Sequence, residues 1–228
     1  MRVLSIVHPG DAGTELFAPV SAEAGHQLDE WVVAERGTPP LDGYDAVLVF
    51  GGSMHVDQHE QHPWLRDETD WLRALLETPV PMLGVCLGSQ LLALAAGAEV
   101  GPLPQPERGW YEVELTEEAA GDPVLSSLPE RFDALQWHHY AHGLPQGAVA
   151  LARNHACLQA FRLGGTTWGV QFHPEATEPQ LERWFADKAD LPADPDELRA
   201  ETRRRIGRWN ELGRRLCRAF LGAAEERG

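Results

Sequence analysis

The chain of 228 residues, 43% of them hydrophobic, is long enough for one sizeable core and within the range in which an α/β fold stays a single domain. Its 35 acidic against 19 basic residues give a formal charge of −16, which repels phosphate backbones and anionic lipid surfaces and argues against nucleic acid or a membrane as partner. The apolar start at Met1 to Val7 is too short for a signal sequence, and no apolar run is long enough to span a bilayer, so a cytoplasmic protein is expected.

In chain order, Val3 to Val7, Ala46 to Phe50 and Met82 to Val85 are short apolar runs bounded by Gly, Pro or Asp, as parallel strands covered on both faces tend to be. Between them, Pro63 to Leu76 places Trp64, Leu65, Trp71, Leu72, Leu75 and Leu76 at helical spacing, and Leu87 to Ala96 is apolar with small residues. Strands alternating with helices imply βαβ crossovers. After Gly97 the segments shorten, and Tyr111 to Leu115, Arg131 to Trp137, Ala148 to Leu151, Leu158 to Arg162 and Thr167 to Phe172 read as an antiparallel extension. From Gln180 the pattern is helical, interrupted at Asp190 to Asp196 by two prolines and three aspartates, which predicts two C-terminal helices. The expected fold is α/β, a mostly parallel sheet with an antiparallel extension, in one domain over 1–228 whose segment 180–228 is a helical extension. The arginine-rich stretch Arg199 to Arg215 carries interspersed acids at helical spacing and reads as a solvated helix face.

Three short segments carry chemistry. In Pro81 to Gln90 (PMLGVCLGSQ) a strand runs into a cysteine flanked by Gly84 and Gly88 and then into a helix, the pattern of a nucleophile elbow. Cys86 at a helix N-terminus gains thiolate character from the dipole and the free N–H groups. Taken alone, the cysteine would more readily be a buried structural residue. In Gly169 to Glu175 (GVQFHPE) a strand ends in His173, and Glu175 lies two residues on. Pro174 keeps His173 out of the helical region, so both side chains face one way and Glu175 can orient the imidazole toward Cys86. Alone, the tripeptide would be a turn. Gly51-Gly52-Ser53 follows a strand at its C-terminal end, where a backbone N–H, with that of Leu87, would make an oxyanion hole, although a plain tight turn is the simpler alternative.

Together these segments resemble the class I glutamine amidotransferases. GVCLGSQ fits that family's G-x-C-x-G-x-Q elbow and GVQFHPE its strand-borne histidine and glutamate, with further likeness in GGSM, PWL, ERGWYEVELT and CLQAFR, over roughly residues 46 to 175. The likeness is greatest to free-standing members similar to the glutaminase domain of GMP synthetase. The resemblance implies a flavodoxin-like three-layer sandwich and hydrolysis of a γ-glutamyl amide through a thioester. It makes Cys86 the nucleophile, His173 the general base and acid, and Glu175 its orienting partner. Gly52 and Leu87 would supply oxyanion N–H groups, Gln90 would contact the glutamyl moiety, and the segment around Trp137 and His138 would line the pocket. Where relatives read Trp-His-Gly-Asp, this chain reads Trp137-His138-His139-Tyr140, so the acidic residue is missing; His139, Tyr140 and His55 become candidate wall residues, and free glutamine is expected to bind weakly.

No phosphate-binding G-x-x-x-x-G-K-[ST] loop is present and Lys188 is the sole lysine, so any acceptor chemistry would reside on a separate synthetase partner. The alternatives are a self-sufficient γ-glutamyl hydrolase, a glutaminase subunit that waits for such a partner, a non-catalytic module, and another chemistry such as a protease or deglycase on the same fold. His55, His59 and His62 lie at i, i+4 and i+7, but no helix is predicted before Pro63 and the stretch reads as a polar loop. No metal and no cofactor are expected.

Overall fold

A computed structural model describes residues 1–10, 13–186 and 191–227. One nine-stranded sheet runs through the molecule in the order β2-β1-β3-β4-β9-β8-β7-β5-β6. The first five of these, β2 (Gln27–Val32), β1 (Arg2–Val7), β3 (Ala46–Val49), β4 (Met82–Val85) and β9 (Thr167–Val170), are mutually parallel. Counted along the chain their order is 2-1-3-4-5, that of a flavodoxin-like doubly wound sheet. The remaining strands, β8 (Leu158–Leu163), β7 (Ala148–Arg153), β5 (Val100–Leu115) and β6 (Arg131–His142), join antiparallel.

Two expectations need correction. The sheet is not mostly parallel: its pairings among the described residues divide into four parallel and four antiparallel, and the two longest strands, β5 and β6, belong to the antiparallel half. The run Thr167 to Phe172 is not simply part of the antiparallel extension, because β9 pairs parallel with β4 on one side and antiparallel with β8 on the other. All four β9 residues are buried, as a strand in the middle of a covered sheet requires.

The parallel strands alternate their side chains between two cores. Val3, Val7, Leu48, Phe50, Leu83 and Val85 face helices α1 (Phe17–Glu23) and α6 (Pro195–Glu225). Leu4, Ile6, Val47, Val49 and Met82 face α3 (Trp64–Leu76) and α4 (Leu87–Ala95), with the single turn α2 (Val33–Arg36) beside them. This is the period-2 pattern of a strand with two apolar faces and gives three layers. In α6 the residues Ile206, Trp209, Leu216, Phe220 and Ala224 form one buried stripe at helical spacing. Each large side chain so buried stabilises by roughly 1.5–3 kcal/mol over exposure.

The opposite face of α6 carries the arginines, and they pair outward: Arg199 with Glu182 and Asp196, Arg205 with Asp133 and Glu201, Arg214 and Arg218 with Glu23. That arrangement matches the reading of a solvated face. A short helix α5 (Glu178–Trp184) precedes α6, its first turn capped by the Thr177 hydroxyl. Asp190, where the predicted interruption begins, and Lys188 lie outside the described residues; α6 itself starts at Pro195 behind an Asp194 cap. Among the described residues no helix is long and apolar enough to cross a membrane.

Candidate active site

The carboxyl ends of β1, β3, β4 and β9 lie along one edge of the sheet, with the reversal of strand order between β1 and β3, and this edge is the usual place of the cleft in an open α/β sheet. From β4 the chain passes through Cys86 directly into α4. Cys86 has φ 52° and ψ −110°, a backbone conformation few non-glycine residues adopt and one that costs on the order of 1–3 kcal/mol. What tolerates it is the tight packing of its neighbours. A Cβ on Gly88 would lie 2.0 Å from the carbonyl oxygen of Val49, and one on Gly84 would lie 2.6 Å from that of Gly88. The glycines let α4 approach the sheet closely enough to close the turn.

The parallel register β4 to β9 brings the second segment in. Val85 lies opposite Val170, and the Cys86 N–H donates to the Val170 carbonyl at 2.9 Å. Three residues beyond Val170, the His173 N–H donates to Leu135 of β6 at 3.0 Å. His173 Nδ1 is 2.8 Å from Glu175 Oε1, and Glu175 is fully buried. The Cys86 sulfur is close enough to act on the charge of the His173 ring, while Nε2 makes no hydrogen bond of regular geometry. Burial works against a charge on this ring, yet Glu175 and the Cys86 sulfur outweigh it and hold the His173 pKa up to about 10. The Cys86 sulfur also sits 3.8 Å from the Trp137 carbonyl oxygen.

The other two thiols lack such company. Burial, with the Glu107 carboxylate, pushes Cys157 up to about 12, and burial pushes Cys217 to about 12 as well, so both stay neutral near pH 7.

The remaining expected residues divide in two. Gln90 is buried, and its amide nitrogen donates to the Tyr140 carbonyl at 2.8 Å and to Gln171 Oε1 at 3.2 Å, so it braces strand β6 from below. The His138 ring also turns inward: Nδ1 lies 2.9 Å from the Tyr140 carbonyl, and Nε2 lies 3.2 Å from Glu107 Oε2 without hydrogen-bond geometry. His139 and Tyr140 are half-buried and meet His55, which stacks on Tyr140 at 4.2 Å between ring centroids and meets His139 edge-on at 5.6 Å. The Tyr140 hydroxyl donates to Asp57 Oδ2 at 2.9 Å. His55, Asp57, Glu60 and Tyr140 line an open polar pocket of about 350 Å³. Gly52 packs beside Leu87, to whose Cδ2 an added Cβ would come within 3.0 Å.

Some neighbours were not foreseen. Trp184 of α5 covers the His173 ring edge-on at 4.8 Å and also meets Trp137. Trp209 of α6 donates to the His173 carbonyl at 2.8 Å. His8 and Glu68 lie beneath the Gly51-Gly52 turn. Of the groups that could hold a metal, Glu107, His138 and Cys157 bring their ligand atoms within 4.8 Å of one another. The Glu107 carboxylate there already accepts from Asn154 at 2.7 Å and Gln159 at 3.2 Å.

The family model of glutamine amidotransferase class-I matches residues 20–189. A γ-glutamyl-L-1-hydroxyisopropylamide hydrolase of Pseudomonas sp. is 35% identical over 147 residues, 60% of this chain and 49% of that enzyme, so the match spans about half of the relative's length. A glutamine-hydrolysing GMP synthase component of Ignicoccus hospitalis is 36% identical over 141 residues, 60% of this chain and 70% of the relative. The crystal structure of a glutamine amidotransferase from Thermotoga maritima superposes with a TM-score of 0.87 at 29% identity, covering 97% of this chain and 98% of the other. Three quarters of the chain falls within the family match, the elbow at Cys86 and the His173-Pro174-Glu175 segment lie inside it, and the chain belongs to the class I glutamine amidotransferases.

Proposed function

We propose that this protein hydrolyses γ-glutamyl amide bonds with Cys86 as nucleophile, His173 as proton carrier and Glu175 as the group that orients His173. The observation that carries this reading is the strained elbow that sets Cys86 before the Nε2 of a histidine whose other nitrogen is held by a buried carboxylate. Sγ adds to the amide carbon, and the carbonyl electron pair moves onto oxygen, where the N–H groups of Gly52 and Leu87 receive it. His173 gives its proton to the leaving nitrogen, the carbon–nitrogen bond breaks, and a γ-glutamyl thioester remains. Neutral His173 then takes a proton from water as the water oxygen adds to the thioester carbon. Collapse releases the carboxylate product and returns the sulfur to its place beside the imidazolium.

The substrate we propose is larger than glutamine. Tyr140 stands where an acid is expected, and its hydroxyl is bonded to Asp57, both residues lining an open pocket that a leaving group could occupy. A glutamyl ammonium taken from water needs anionic or several neutral acceptors, so binding gains from contacts beyond the glutamyl part. The likeness to a hydrolase named for a γ-glutamyl amide supports this choice. On isolated protein, kcat/KM is expected to be higher for at least one γ-glutamyl amide or peptide than for glutamine, measured as glutamate release, and Tyr140→Asp should narrow the gap. Glutamine as best substrate, with Tyr140→Asp silent, would overturn the substrate choice.

A second reading rests on the similarity to the GMP synthase component of Ignicoccus hospitalis, and makes the protein a glutaminase that passes ammonia to a separate synthetase. It requires that glutamate release from glutamine rise sharply when a co-purifying synthetase is added.

A further inference from the structure

His8 and Glu68 have no part in the proposed chemistry, and they are the most deeply buried ion pair near it. Both side chains are fully buried. His8 follows the last residue of β1, and Glu68 sits within the apolar stripe of α3 between Leu65 and Leu72. His8 Nδ1 is 2.8 Å from the carbonyl oxygen of Gly51, and Nε2 is 3.0 Å and 3.2 Å from the two Glu68 oxygens. Both facing groups only accept, so both ring nitrogens donate and Glu68 balances the resulting charge. Trp64 stacks on the ring, 5.4 Å between centroids and 24° between planes, which fixes its tilt.

The bond to Gly51 has a geometric consequence one atom further on. A trans peptide is planar, so the carbonyl of Gly51 and the N–H of Gly52 point in opposite directions. Two consecutive glycines give that peptide little preference of its own for either orientation. The His8 bond holds the carbonyl down, and the Gly52 N–H is therefore turned away from His8. An added Cβ at Gly52 would stand 3.0 Å from both His8 Cβ and Leu87 Cδ2, so the same residue bridges the ion pair and the start of α4.

We propose that His8, held by Glu68, is a positioning residue that locks the Gly51–Gly52 peptide with the Gly52 N–H presented to the developing oxyanion, so that the oxyanion hole is built in the isolated chain. This rests on the reading of Gly52 as an oxyanion donor in a γ-glutamyl hydrolase. It deepens that reading, because a hole locked by the chain's own ion pair needs no partner to assemble it.

The test replaces both charges at once, since removing one alone would strand the other in the interior. In His8→Leu/Glu68→Leu, kcat for γ-glutamyl p-nitroanilide is expected to fall about 10²–10³-fold, the loss typical of one oxyanion donor, with KM little changed. Alkylation of Cys86 by iodoacetamide, followed by mass spectrometry, should keep its wild-type rate, because displacement at a saturated carbon puts no charge on a carbonyl oxygen. His8→Asn/Glu68→Leu returns an amide donor near the Nδ1 position and should recover part of kcat. A double-leucine variant that keeps kcat, or that loses kcat and alkylation rate together, overturns the positioning role. A wild type that releases no glutamate from any γ-glutamyl amide overturns the hydrolase reading first, and the role with it.

Discussion

Cys86→Ala is expected to remove hydrolysis of the best γ-glutamyl substrate, by on the order of 10⁶-fold in kcat, the loss seen when a triad nucleophile is deleted. The protein should stay folded, because the elbow is set by the close approach of Gly84 and Gly88 to their neighbours rather than by the sulfur. Cys86→Ser should be nearly as inactive, since a hydroxyl is a far weaker nucleophile beside the same histidine. The controls are Cys157→Ala and Cys217→Ala. Both thiols are kept protonated by burial, Cys217 is fully enclosed in α6, and Cys157 lies in the β7–β8 hairpin connection rather than at a strand-to-helix elbow, so both variants should keep activity. Glutamate release with circular dichroism on each variant checks the set; substantial turnover by Cys86→Ala would end the thioester mechanism.

His173→Ala is expected to cost as much as loss of the nucleophile, because it removes both proton carrier and counter-charge, while Glu175→Ala should cost about 10⁴-fold. The isosteric Glu175→Gln gives a finer readout. The His173 pKa is held up to about 10 because Glu175 and Cys86 outweigh burial. The imidazolium is thus present below that value and is lost as pH rises through it. Replacing the carboxylate by an amide leaves burial opposed only by the sulfur, so the pKa falls and the alkaline limb of kcat/KM moves to lower pH. A pH profile of wild type and Glu175→Gln measures this; an alkaline limb that stays in place would make Glu175 a packing residue only.

Much of this was legible in the sequence, for identifiable physical reasons. Strands β1, β3 and β4 are apolar runs between turn residues, and α3 and α4 have clear periodicity, so their positions follow from local pattern. The juxtaposition of Cys86 and His173 depends instead on the parallel pairing of β4 with β9, a contact between distant segments. The run Thr167 to Phe172 did carry the signal, since Trp168, Gly169, Val170 and Phe172 do not alternate with exposed residues as a one-sided antiparallel strand would. β2 escaped because Gln27, Asp29 and Glu30 break up its apolar residues at the half-exposed sheet edge, and α1 because Pro19 interrupts its pattern. The prolines at 102, 104 and 106 concealed the first half of β5, which pairs with β6 across a register shift between Pro102 and Glu107. The pairing of His8 with Glu68 was not legible, because its two members lie 60 residues apart.

The grip of α6 on the His173–Ala176 loop bears on how such an enzyme would wear out. Trp209 and Asn210 donate to the carbonyls of His173 and Ala176 at 2.8 Å and 2.7 Å, and a Cβ on Gly213 would stand 2.0 Å from the Pro174 oxygen. The proposed base is thus fastened by a helix that belongs to neither the elbow nor the sheet. Partial undocking of that helix would silence the enzyme while most secondary structure survives, a form of inactivation by local opening rather than global unfolding. Gly213→Ala, which forces the helix off the loop, should therefore lower activity at temperatures where the far-ultraviolet spectrum still looks native, and the half-life on warming becomes a property of one helix contact.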